Sequence, residues 1–83
     1  MRYIVSTDGS SISANNSKGF DAAAAFVIYK GDKMIYKESI LLRNHTNNYA
    51  EMYAIYKGTK YLVENELGLY DADEVLIVTD SQL

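Results

Sequence analysis

Two stretches of this chain carry the same pattern: YIVSTD at residues 3–8 and VLIVTD at residues 75–80. Each is a short run rich in β-branched, aromatic or aliphatic side chains, suited to a buried strand, and each ends on an aspartate. The longest helical segment, NHTNNYAEMYAIYKGTKYLVENELG at residues 44–68, precedes the second copy and contains no proline. A helix crossing between strands of one sheet usually makes the strand after it parallel to one already laid down. If that neighbour is the first strand, Asp8 and Asp80 stand at the same end of adjacent strands, about 4.8 Å apart.

The remaining segments complete the order. GSSISANNSKG, residues 9–19, is dense in Ser, Asn and Gly and predicts a loop or a wide hairpin connection. FDAAAAFVIYK (20–30) predicts a second strand; its alanines favour helix in isolation, but AFVIY carries strand bias. KGDK (30–33) is a turn and MIYKESILL (34–42) a third strand. The reading is an α/β domain: a three-stranded antiparallel meander, a crossover helix, and a fourth strand parallel to the first.

The helix supplies a third acid. Thr46, Asn47 and Asn48 are candidate N-caps and Gly68 a candidate stop. Glu51, Ile55, Gly58 and Leu62 share one helical face, which should look toward the sheet. From Glu51 to Glu66 is about 22 Å of helix. From Glu74 back to Asp80 is about 20 Å of strand. The legs match, so Glu51 is expected level with Asp80, and Asp8, Glu51 and Asp80 are expected to converge.

Composition sets limits on what such a site can do. At 83 residues the chain is one domain, residues 1–83. A chain of that size buries roughly 60–65% of its unfolded surface, so its stability is marginal. There is no cysteine, which removes disulfides and thiolate metal sites. No apolar run suits a signal peptide or a membrane span, and a soluble, cytoplasmic protein is expected. A net charge of −3 and a pI near 4.9 argue against nonspecific nucleic-acid binding through a basic patch. A polyanionic substrate would need a metal ion, or basic residues from elsewhere, to offset the repulsion.

Three carboxylates without a Lys or Arg nearby in sequence repel one another: either their pKa values rise or a cation neutralises them. Oxygen-only ligands suit Mg²⁺ or Mn²⁺ rather than zinc, and such sites commonly serve phosphate chemistry. Plainer readings exist for each residue. Asp-Gly and Asp-Ser form turns, and Asn48-x-x-Glu51 resembles a capping box. His45 reads as a surface loop residue, and Tyr49, Tyr53 and Tyr56 as a packing stripe rather than a base-stacking platform. Lys57 and Lys60 read as a solvated helix face.

Taken together, TDGS (7–10), TNNYAEMYAI (46–55) and VTDSQ (78–82) resemble ribonuclease H. TNNYAE matches it more closely than the integrase-like and resolvase-like relatives of the same superfamily. The resemblance implies that Asp8, Glu51 and Asp80 are catalytic carboxylates holding Mg²⁺ or Mn²⁺. It implies as substrate the RNA strand of an RNA–DNA hybrid, cleaved to a 3′-hydroxyl and a 5′-phosphate. It also implies that Asn47, Asn48 and Gln82 contact the minor groove and that the backbone around Gly9 and Ser10 approaches the RNA. The family's fold continues with a fifth strand and further helices, a fourth acidic residue and commonly a histidine. The expectation here is therefore the N-terminal half of that fold. A function of a different class follows from the same departure: a catalytically incomplete half-domain acting through an open sheet edge, as a homodimer or with a complementing chain.

Overall fold

A computed structural model describes the backbone of residues 1–16, 19–43 and 47–79, and their side chains except those of residues 9–16, 19–21, 47 and 67. The elements are β1 (Arg2–Asn16), β2 (Gly19–Lys30), β3 (Lys33–Arg43), α1 (Asn47–Asn65), a 3₁₀ turn (Leu67–Asp71) and β4 (Glu74–Thr79). The strands form one mixed sheet in the order β3-β2-β1-β4. β1 and β2 pair antiparallel, as do β2 and β3, while β4 lies parallel to β1 from Arg2↔Glu74 to Thr7↔Thr79. The expected meander, crossover helix and parallel fourth strand are all present.

Two boundaries differ from the sequence reading. Residues 9–16 continue β1 instead of opening a loop, with Gly9↔Ala24, Ser10↔Ala23 and Ser11↔Ala22 in register. Serine and glycine have weak strand preference alone, but a pre-formed β2 offers them a complete backbone ladder, and tertiary pairing overrides propensity. Irregularities between Ser11 and Ser13 and between Ser13 and Asn16 absorb the mismatch. The helix ends at Asn65, ahead of Gly68, which falls in the 3₁₀ turn. The β2–β3 turn is as expected: Lys30 pairs with Lys33 around Gly31-Asp32, and Gly31 takes φ 62°, a conformation that costs glycine little.

Only one side of the sheet carries the helix. Along β1, Tyr3, Val5 and Thr7 are buried beneath α1, and the alternate residues Ile4 and Ser6 face the other way. The helix meets the sheet through small residues. Ala50 and Ala54 pack on Ala22 and Ala24, and further along Leu62 joins Tyr3, Val5, Phe26 and Ile28. Between these two clusters lies Gly58, where an added Cβ would fall 2.6 Å from Val5 Cγ1. The buried line of α1 is thus Ala50, Glu51, Ala54, Gly58 and Leu62, with Ile55 on its flank and only half-buried. Ile55 belongs to the expected face by period, but close approach favours the alanines at its centre. That approach also explains the alanine run in β2: Ala22 and Ala24 are buried because a larger side chain would hold the helix away.

Further contacts fix the helix's far end. Tyr36 on β3 stacks on Tyr61 with ring centroids 3.9 Å apart. The buried Tyr3 donates its hydroxyl to Glu66 Oε1 at 2.9 Å; burial first, then that bond, hold the phenol above the usual tyrosine range. β4 is held differently. α1 covers β1 and β2, and Val75, Leu76, Ile77 and Val78 remain between 38% and 49% exposed.

The close approach at Gly58 yields a stability prediction. In an ordinary helix Gly→Ala is favourable by about 1 kcal/mol. Here the methyl group would meet a stiff valine, so Gly58→Ala should destabilise the chain by about 1–2 kcal/mol in urea unfolding. Stabilisation instead would show that α1 has room to spare.

Candidate functional site

Tyr3 and Val5 fill the inward positions of β1 with apolar side chains, and the next inward position is polar. Thr7 is 1% exposed, and its Oγ1 donates to Glu51 Oε1 at 2.8 Å. Glu51 is itself only 9% exposed, set among the alanines that bring α1 onto the sheet. Its second oxygen, Oε2, is buried with no hydrogen-bond partner among the described residues. A buried acceptor left in this state costs about 1–3 kcal/mol, and more when it carries charge. The residue that bears this cost is one of the three candidate acids.

The other expected site residues fall around this pair. Asp8 follows Thr7 in β1; its backbone pairs with Ala25, and its side chain is exposed. Asp80 lies outside the described residues, which carry the β1–β4 ladder to Thr7↔Thr79, the residues preceding the two aspartates in sequence. Glu51 is level with Thr7 and so with Thr79, while the residue expected beside it, Asp80, lies outside the described residues. Gly9 and Ser10 present backbone paired to Ala24 and Ala23. Asn47 opens α1 and Asn48 is exposed in its first turn, while His45 and Gln82 are outside the described residues. Among the described residues, which exclude Asp80, no three His, Cys, Asp or Glu side chains form a metal-sized group.

The plainer readings separate. Glu51 points its carboxylate across to Thr7 on the sheet, so a capping role does not account for it. The tyrosine stripe packs along the helix, with Tyr49–Tyr53 and Tyr53–Tyr56 centroids 6.1 and 6.3 Å apart. Lys60 lies 5.9 Å over the Tyr56 ring. Thr7 is the functional candidate that sequence reasoning passed over. Its signal was available: inward alternation from Tyr3 and Val5 makes it a hydroxyl aimed at the core, which requires a partner.

The donor set is oxygen only: a fixed buried carboxylate oxygen lacking a donor, with an exposed carboxylate on the residue next to its anchor. That chemistry fits a hard divalent cation such as Mg²⁺ or Mn²⁺ and does not suit zinc. It also yields a prediction in the metal-free state. Glu51→Gln keeps an acceptor for Thr7 and removes the buried charge, so it should raise unfolding stability by about 1 kcal/mol in a chelator. Loss of stability in urea titration would mean that Oε2 is compensated.

A sequence profile of the RNase H family matches residues 1–83. No curated protein sequence gives a significant match. Among solved structures, LC11-RNase H1, isolated from compost by a metagenomic approach, is similar with TM-score 0.79 and 26% identity, over 98% of this chain and 55% of that one. The structure of LC11-RNase H1 in complex with an RNA/DNA hybrid gives TM-score 0.74 and 25% identity, over 96% and 55%. The foamy viral protease-reverse transcriptase in complex with dsDNA gives TM-score 0.73 and 30% identity, over 96% of this chain and 48% of that one. The chain therefore spans 55% and 48% of the lengths of these relatives. With the profile match running its whole length and this fold beneath it, the chain belongs to the RNase H family.

Proposed function

We propose that this chain carries part or all of a metal-dependent endonuclease site that hydrolyses the RNA strand of RNA–DNA hybrids. The observation that carries the reading is Glu51: a nearly buried carboxylate, anchored by Thr7, with an oxygen that nothing in the described structure satisfies. Family membership and the likeness to LC11-RNase H1 bound to a hybrid support the substrate class.

In this reading Asp8, Glu51 and Asp80 hold Mg²⁺ or Mn²⁺, which supplies charge neutralisation and activation of the attacking water. Glu51 offers Oε2 from a position set by the helix, so little reorganisation is needed when a cation arrives. Asp8 reaches outward from the strand toward solvent and substrate. Asn47 and Asn48 stand at the helix start, where free backbone N–H groups favour a phosphate. With Gln82 and the backbone of Gly9 and Ser10 they line the approach to the minor groove, where the 2′-hydroxyl distinguishes RNA from DNA. Hydrolysis joins the water oxygen to phosphorus and breaks the bond to the 3′-oxygen, which leaves protonated as a 3′-hydroxyl beside a 5′-phosphate. With a net charge of −3, a cation or basic residues from elsewhere would offset the repulsion of the substrate phosphates.

The test is cleavage of a labelled RNA–DNA hybrid with Mg²⁺ or Mn²⁺ by the unmodified chain and by Asp8→Asn. The expected loss in Asp8→Asn is about 10²-fold or more. Equal, metal-independent rates would refute the reading.

A second reading, a half-domain acting by association, draws on β4. Its four apolar residues are exposed, and β1 is its only described strand partner. A long apolar edge strand invites pairing with another chain. This predicts a dimer or larger species in sedimentation velocity at tens of micromolar, and a monomer under those conditions counts against it.

A further inference from the structure

We infer that Thr7 is a positioning residue for the metal site, fixing the Glu51 carboxylate so that Oε2 is the oxygen left for a cation. The inference deepens the nuclease reading and rests on it. Three observations carry it. The hydroxyl lies at an inward position of β1 that is otherwise apolar, and Thr7 is 1% exposed, so water does not serve as its partner. Its Oγ1 donates to Oε1 of Glu51 at 2.8 Å, across 44 residues of sequence. The other carboxylate oxygen is buried with no partner among the described residues.

One oxygen held and one left free is an asymmetric arrangement with a chemical consequence. A carboxylate free to rotate would present either oxygen to a cation and would lose torsional freedom on binding. Here the torsion is already set by the Thr7 hydroxyl, and Oε1 is occupied. Glu51 would thus offer a bound cation a pre-oriented carboxylate with Oε2 as its open oxygen. Groups that hydrogen-bond to metal ligands commonly change metal affinity by about 10–100-fold when removed. Valine would fill the Thr7 space without the hydroxyl; β-branching is kept, so the strand is not penalised. Serine keeps the hydroxyl and loses the methyl group.

The probe is Mn²⁺ alone, titrated calorimetrically or by electron paramagnetic resonance into the unmodified chain, Thr7→Val, Thr7→Ser, Thr7→Ala and Asp8→Asn. Thr7→Val and Thr7→Ala should weaken Mn²⁺ binding about 10-fold or more, with Thr7→Ser within about twofold of the unmodified chain. A merely structural threonine would move the melting temperature of these variants without sorting affinity by the presence of the hydroxyl. Should Thr7→Val not fold, the Ser and Ala pair decides: equal affinities overturn the inference. Unchanged affinity in folded Thr7→Val, with Asp8→Asn impaired, overturns the role of Thr7 and leaves the nuclease reading standing. No Mn²⁺ binding by the unmodified chain overturns both.

Discussion

The distance between α1 and the sheet governs this structure. Ala50 and Ala54 on the helix meet Ala22 and Ala24 on β2, and Gly58 passes over Val5 and Phe26 with no space for a methyl group. Large side chains at these positions would bury more apolar area, at about 25 cal/mol per Å². The small ones give up part of that stabilisation and in return let the helix come close enough for a side chain as short as threonine to reach Glu51. The bulk needed for the core lies further along, in Leu62, Phe26, Ile28 and Tyr3. One end of the helix is built for proximity and the other for packing.

Proximity makes the acid expensive. A glutamate on a solvated face loses little hydration, whereas Glu51 is almost fully enclosed and only half satisfied. Nearby apolar packing cannot remove that cost; only a donor or a cation can. Strain of this kind tends to survive where function needs the group in place before its ligand arrives. The Thr7 hydroxyl reduces the cost at one oxygen and, by doing so, determines which oxygen remains.

Much of the topology was legible because several sequence signals agreed. Two strand patterns ending in aspartate and one uninterrupted helix before the second led to a parallel β1–β4 pair, as found. The misreadings share one cause. Residues 9–16 looked like a loop, and Ile55 looked like the centre of the helix face, because propensity and period describe a segment by itself. Pairing with β2 settled the first and inter-element distance the second. Thr7 was overlooked for a related reason: a threonine in a strand satisfies β-propensity and draws no notice until the facing residue is known.

The two functional readings meet at β4. That strand brings Thr79 into register with Thr7, yet it is fastened to the domain through β1 and remains open on its apolar side chains. α1 covers β1 and β2, so Thr7 is clamped between helix and sheet, while among the described residues β4 is held through one ladder of backbone bonds to β1. Shielding Val75, Leu76, Ile77 and Val78 would therefore do two things at once: remove apolar surface from water and restrain the strand that leads to Asp80. Under the nuclease reading, an association that covers β4 would tighten the site, and its apparent metal affinity would rise with protein concentration.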